Sequence, residues 1–105
     1  MGSIMTSSAA DNLSRLGITL PDAPAPAANY VPYVIVGNMV FVSGQLPLVN
    51  GKLSVTGHVG KDVTTEQAAK QARQCAINLL AQLNAACGGD LGRVKQVVKL
   101  GGFVA

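Results

Sequence analysis

Two short apolar runs on either side of Gly37-Asn38 constrain the fold of this 105-residue chain more than any other feature. Residues 33–36 and 39–42 are rich in β-branched and aromatic side chains, which favour a sheet. The order Gly-Asn fits a two-residue turn of type II′ or type I′. We therefore predict an antiparallel hairpin that pairs residues 33–36 with residues 39–43, with Pro32 confining the first strand to an edge or to its start.

The second apolar run leads directly into Ser43-Gly44-Gln45-Leu46-Pro47. A hydroxyl and a glycine at the end of a strand can serve a binding site, because a ligand can closely approach a backbone N–H that has no Cβ beside it. The alternative is an ordinary strand end, where Ser43 satisfies neighbouring backbone groups. The residues themselves leave both interpretations open.

The hydrophobic period changes from two to about 3.6 after Thr64, which predicts a long helix over residues 65–87. Thr64 and Gln67 form a capping-box pattern at its start, and Gly88-Gly89 ends it. We expect its buried face to be the apolar one, composed of Ala69, Ala72, Ala76, Leu79, Leu80, Leu83 and Cys87.

Residues 93–104 contain several valines with Leu100 and Phe103, and they predict a further strand. Two strands, a helix and a strand make a ββαβ unit of the α+β class, with one helical layer packed on a mixed sheet. Residues 21–28 hold three prolines and predict an extended arm. We expect residues 1–15 to be a flexible N-terminus with a cloning remnant before Met5, and residues 16–105 to form one domain that is incomplete at its C-terminus.

The composition narrows the range of partners and cofactors. The net charge is +3, but the eight basic residues are scattered and aromatic residues make up 4% of the chain, which argues against a nucleic-acid partner.

No apolar run is long enough for a membrane span, so we expect a soluble cytoplasmic protein. His58 is the one histidine, and no Cys-x-x-Cys occurs, so we predict no metal site. Cys75 and Cys87 lie too far apart along one helix for a disulfide.

The hairpin and the Ser43-Gly44-Gln45-Leu46-Pro47 run together resemble the Rid family of YjgF-type reactive intermediate deaminases, some of which are labelled endoribonuclease L-PSP. The similarity extends over about residues 16–105. It implies a chorismate-mutase-like fold and a homotrimer, in which helices surround a central barrel of sheets and ligand pockets lie between subunits. It also implies the hydrolysis of short-lived enamines and imines, such as 2-aminoacrylate, to keto acids and ammonia, without a cofactor.

Three substrate-binding positions follow from the resemblance. Tyr33 matches the tyrosine of the first family strand, while Ser43 and Gly44 match a hydroxyl and a backbone N–H that orient the substrate or a water molecule. We assign no catalytic residue. His58 matches no catalytic position of the family and is interpreted as a surface histidine, and Gln45 is interpreted as structural.

In the family, an arginine binds the substrate carboxylate, and it is expected downstream of residues 93–104. Arg15, Arg73 and Arg93 do not occupy its position. The chain is then either a fragment, which we favour, or a shortened protein. The leading hypothesis is an enamine/imine deaminase. The alternatives are a non-catalytic trimer that binds small carboxylates, and an endoribonuclease, for which the sequence offers little support.

Overall fold

The computed structural model describes residues 8–24 and 29–105. In chain order its elements are helix α1 (Ala9–Arg15), strand β1 (Tyr33–Val36), strand β2 (Met39–Val42), helix α2 (Thr65–Ala86) and a 3₁₀ helix (Leu91–Arg93). The expected cloning remnant and the second half of the proline-rich arm, residues 25–28, lie outside the described residues. The predicted α+β class is confirmed.

The predicted hairpin is confirmed. Strands β1 and β2 pair antiparallel, with Tyr33 opposite Val42 and Val36 opposite Met39. Gly37 has a φ of +56°, whereas Asn38 is not among the residues with positive φ, so the turn is of type II′ rather than type I′. Glycine is needed at the first turn position because a residue with a Cβ is strained there.

Helix α2 begins and ends where its capping residues predict. The Thr64 hydroxyl accepts a hydrogen bond from the Gln67 N–H at 3.1 Å, and the Gln67 side chain accepts from the Thr64 N–H at 2.8 Å. These two bonds satisfy N–H groups that have no partner within the helix. At the other end, Gly88 and Gly89 have φ values of +66° and +92°, and the chain leaves the helix.

The face of α2 that is most buried differs from the predicted one. Among the seven apolar residues assigned to it, Cys87 alone is buried, whereas Ala69, Ala72 and Ala76 are exposed. The buried residues within the helix are Asn78, Ala81 and Gln82, and none of them belongs to the predicted face. The reason is tertiary: loops that pack on α2 present backbone carbonyls, and the amide side chains of Asn78 and Gln82 supply uncharged N–H donors to them.

The predicted strand over residues 93–104 is absent. Leu91–Arg93 form a 3₁₀ helix with Asp90 as its N-cap, and residues 94–105 have no regular secondary structure. A strand requires a neighbouring strand for its hydrogen-bond ladder, and the sheet in the described residues consists of β1 and β2. Consequently the apolar side chains of this segment are exposed, namely Val97, Val98, Leu100, Phe103 and Val104.

Helix α1 lies within the stretch expected to be flexible. The Ser8 hydroxyl caps it by accepting from the Asp11 N–H at 3.1 Å, and Arg15 donates to the Asn12 side chain at 2.9 Å. Helical structure in the described residues therefore begins at Ala9, while the domain boundaries remain a prediction. No helix within residues 8–24 and 29–105 combines the length and the hydrophobicity needed to cross a membrane.

Candidate functional site

Strand β2 ends at Ser43, which is tied to the chain just before β1. The Ser43 N–H donates to the Pro32 carbonyl at 2.9 Å, and its hydroxyl donates to the Val31 carbonyl at 2.6 Å. The hydroxyl proton is therefore directed at the backbone, as the strand-end interpretation expected. The oxygen of a hydroxyl that donates one bond still has lone pairs, so Ser43 can accept a hydrogen bond from a ligand or water.

Gly44 offers the complementary group, a backbone N–H that a ligand can reach. This N–H has no hydrogen-bond acceptor among residues 8–24 and 29–105, and a Cβ added at Gly44 would meet no atom within 4 Å. Its φ lies outside the left-handed region, so the backbone does not require glycine here. The lack of a side chain instead leaves the N–H open to an incoming acceptor.

The carbonyl of Gly44 is held by two side chains. The Tyr30 hydroxyl and the Gln45 amide both donate to it at 3.3 Å, and the Gln45 amide also donates to the Ser43 carbonyl at 3.0 Å. Gln45 thus stabilises the local backbone, in line with its structural interpretation. Tyr30 was not among the predicted site residues, and its sequence signal is weak because it precedes the strand and lies 14 residues from its partner.

Tyr33, the third predicted residue, is half-buried at the start of β1, opposite Val42. Side-chain alternation along a strand places it on the face of the hairpin that includes Val40 and Val42. Its hydroxyl makes no hydrogen bond to Ser43 or Gly44 in the described part of the chain. The structure therefore joins Ser43 and Gly44 through one backbone corner and leaves Tyr33 beside them without a direct bond.

His58 belongs to a tight exposed loop away from this hydrogen-bond network. Its Nδ1 atom lies 3.9 Å from the Asp62 carboxylate, and both side chains are exposed. The preceding Gly57 has a φ of +138°, and a Cβ there would lie 2.7 Å from the Cβ of Asp62. This closeness shows that the loop needs glycine at that position. Within residues 8–24 and 29–105, no three side chains of the metal-ligating types come together.

Two clefts lie elsewhere on the surface. One of about 300 Å³ is bounded by the proline-rich arm, the Asn50-Gly51 turn and Asn78. The other, of about 250 Å³, lies between α1 and the 3₁₀ helix. Neither lining includes Ser43 or Gly44. Because Gly44 is exposed and has no atom within 4 Å of an added Cβ, the candidate site is an open corner, and a ligand there would need a further surface to enclose it.

The arginines Arg15 and Arg93 and the two cysteines are the other side chains considered for a functional role. Arg15 bonds to Asn12, and Arg93 donates to the Cys87 carbonyl at the end of α2 at 3.3 Å. Both cysteines are free thiols, as predicted. Burial raises the pKa of the Cys75 thiol, which disfavours the reactive thiolate.

The α+β fold agrees with the comparisons to known proteins. The model of the family described as "YjgF/chorismate mutase-like, putative endoribonuclease" matches residues 10–105. The chain therefore belongs to the YjgF/chorismate mutase-like family, as the sequence resemblance predicted.

Three relatives place the chain within that family. It is 47% identical over 104 residues to Protein TCP17 of Trypanosoma cruzi, a match that includes 99% of this chain and 64% of the relative. The crystal structure of Atu1372, a protein of unknown function from Agrobacterium tumefaciens, is 51% identical, with a TM-score of 0.72, over 82% of this chain and 52% of that one.

The third relative is a "putative endoribonuclease" from Shewanella oneidensis. It is 38% identical, with a TM-score of 0.79, over 87% of this chain and 60% of that chain. The chain therefore spans between about half and two thirds of the length of the relatives it matches.

Proposed function

We propose that this protein is a Rid-type deaminase that hydrolyses reactive enamines and imines, such as 2-aminoacrylate, to keto acids and ammonia. Family membership supports this class. The observation that carries the proposal is the corner at Ser43 and Gly44, where an open N–H donor lies beside a hydroxyl oxygen that can still accept.

The reaction needs positioning more than it needs a strong base. The enamine form of 2-aminoacrylate first becomes an imine by proton transfer to its terminal carbon. Water then adds to the imine carbon, so that a C–O bond forms while the C=N π electrons and one proton of the water go to nitrogen. The resulting carbinolamine passes its hydroxyl proton to the nitrogen as the C–N bond breaks, which releases ammonia and leaves a ketone. A water molecule held at the correct distance and angle accelerates such an attack without covalent participation of the protein.

The two groups of the corner suit different roles in this step. Because the Ser43 hydroxyl donates to the Val31 carbonyl, its oxygen is assigned to accept a hydrogen bond from the attacking water. The Gly44 N–H is assigned to donate to an oxygen of the substrate. A carboxylate held by one N–H alone is weakly anchored, so the family arginine remains the expected further anchor.

The test measures ammonia released from freshly generated 2-aminoacrylate, using the protein expressed from its natural gene with its intact mass recorded. Acceleration over the spontaneous rate is expected, with a loss of at least tenfold in Ser43→Ala, which removes one positioning hydrogen bond. Ser54→Ala is the matched control, since Ser54 is exposed and belongs to another loop. No acceleration by the wild-type protein would overturn the proposal. Binding of 2-ketobutyrate without turnover would favour the non-catalytic alternative.

RNA cleavage is the second candidate, because one relative is named a "putative endoribonuclease". The same preparations can be incubated with a labelled single-stranded RNA. Cleavage that co-purifies with the wild-type protein and is lost in Ser43→Ala would favour this candidate over the deaminase. Cleavage that survives the substitution points to a contaminating nuclease.

We further propose that the protein acts in the cytoplasm as a homotrimer whose neighbouring subunits enclose the open corner. Exposed apolar side chains on the hairpin, including Val34, Ile35 and Phe41, support an association of copies. The free thiols of Cys75 and Cys87 are compatible with a reducing compartment. Light scattering after size-exclusion chromatography should give three times the chain mass, and a monomer mass would contradict the trimer.

A further inference from the structure

The amide side chain of Asn78 is a polar group buried in the middle of α2, where apolar side chains are the usual buried residues. Asn78 is 1% exposed, and together with Gln82 it is among the largest fully buried side chains of the described residues. Asparagine is a poorer helix former than alanine or leucine. A buried amide is also costly unless its polar atoms are hydrogen-bonded.

Every polar atom of this amide has a partner. The Nδ2 atom donates to the carbonyls of Leu46 and Leu48, each at 3.0 Å, and Oδ1 accepts from the Gln74 amide at 3.1 Å. The orientation of the amide is settled by these partners, because the reverse orientation would point Oδ1 at two carbonyl oxygens. The side chain therefore acts as a clamp between α2 and the loop after the candidate site.

The clamp holds a tight turn centred on Pro47. The Leu48 N–H donates to the Leu46 carbonyl at 2.8 Å, which closes a three-residue turn. Proline suits its centre, because the ring fixes φ near the value that such a turn requires and no N–H is left without a partner. Asn78 thus binds the carbonyls on both sides of the turn.

Gly44 lies between this clamp and the attachment of Ser43. On one side, Ser43 is bonded to the carbonyls of Val31 and Pro32 next to β1. On the other side, Leu46 is bonded to α2 through Asn78. The Gly44 N–H has no partner of its own in the described residues. Its direction therefore depends on these two attachments, together with the bonds that Gln45 and Tyr30 donate to the Ser43 and Gly44 carbonyls.

We propose that Asn78 is a positioning residue for the Ser43-Gly44 corner, which it holds through the Pro47 turn so that the Gly44 N–H points at a substrate oxygen. This inference deepens the proposed function and rests on it for the identity of the bound oxygen. Asn78 itself lies on the helix and acts through the loop rather than on the substrate.

The experiment compares Asn78→Leu with Gln74→Leu. Both substitutions replace an amide with leucine on the same helix, but within residues 8–24 and 29–105 the Gln74 side chain bonds to Asn78 and not to the loop. The readouts are the backbone amide resonance of Gly44 in ¹⁵N-labelled protein and its titration with 2-ketobutyrate. Asn78→Leu should shift the Gly44 resonance and weaken binding about tenfold, as expected for a misdirected hydrogen bond to a charged group. Gln74→Leu should change binding less than twofold.

A folded Asn78→Leu protein with an unshifted Gly44 resonance would overturn the inference, as would equal losses in both variants. If Asn78→Leu does not fold, Asn78→Ser takes its place, since it keeps a polar side chain that is too short to reach both carbonyls. The Gly44 shift needs no ligand. A wild-type protein that neither binds 2-ketobutyrate nor releases ammonia would therefore remove the proposed function, while the shift still decides whether Asn78 positions the corner.

Discussion

Gln82 provides a direct test of how the proline-rich arm is attached to the helix. Its side chain is 1% exposed, and its Nε2 atom donates to the Pro24 carbonyl at 2.6 Å across 58 residues of sequence. Gln82→Met keeps the length of the side chain and nearly the same helix propensity, and it removes the donor. Gln71→Met is the matched control, because Gln71 lies on the same helix, is half-buried and donates no hydrogen bond within the described residues.

The magnitude follows from the burial of the two partners. A neutral hydrogen bond contributes about 1 kcal/mol net, and a buried acceptor left without a donor costs about 1–3 kcal/mol. Pro24 is half-buried, so water can reach its carbonyl, and the lower part of this range applies. We expect Gln82→Met to lower the free energy of unfolding by about 1–2 kcal/mol. For a domain of this size, that corresponds to a fall in Tm of about 5–10 °C.

Thermal and urea unfolding followed by circular dichroism at 222 nm measure this change. Heteronuclear NOE values for Asp22 and Ala23 report whether the arm itself is released. They should fall in Gln82→Met and stay constant in Gln71→Met. If both variants have the stability of the wild type within about 0.3 kcal/mol and the arm stays rigid, the reasoning from the buried hydrogen bond is refuted.

Three further predictions concern caps, loops and thiols. Thr64→Ala should destabilise the protein by about 1 kcal/mol because it removes half of the capping box, whereas Thr65→Ala should stay within about 0.5 kcal/mol in urea unfolding. Gly57→Ala should lower the free energy of unfolding by about 2 kcal/mol more than Gly60→Ala does. Both positions have positive φ, but of these two only Gly57 has no room for a Cβ. Equal losses of stability in the two variants would contradict this steric argument. Cys75 should react with iodoacetamide more slowly than free cysteine at pH 8, as mass spectrometry can show. Burial raises the pKa of Cys75 above the ordinary thiol value of 9.0, so the folded state holds the proton more tightly. Stability should therefore decline as pH rises above that unfolded value towards the folded pKa.

The elements that could be predicted are those specified by neighbouring residues. The Gly37-Asn38 turn places two apolar runs next to each other, and the Thr64 cap satisfies N–H groups within one helical turn. The position of Ser43 and Gly44 at the end of an apolar strand drew attention to them, but their assignment as a candidate site came from the family resemblance. Whether they bind substrate, together with Tyr33, remains a prediction.

The errors concern contacts between distant parts of the chain. The apolar period of α2 indicated the wrong buried face. The amides of Asn78 and Gln82 are buried instead, because they donate hydrogen bonds to backbone carbonyls of loops that pack on the helix, namely those of Leu46, Leu48 and Pro24. One signal was available: an asparagine in the middle of an Ala- and Leu-rich helix lowers helix propensity, so it indicates a tertiary role. Tyr30 was missed for the same reason, since its partner is distant in sequence.

The sequence by itself determined the hairpin, the limits of α2, the α+β class and, through the Ser43-Gly44-Gln45 run, the family. These features depend on turn dihedrals, capping bonds and side-chain period, which act over a few residues. Tertiary structure alone decided that residues 93–104 form no strand, that two amides are buried in α2, and that the Gly44 N–H stays open. Each of these depends on whether a hydrogen-bond partner from a distant segment is within reach, and local sequence does not contain that information.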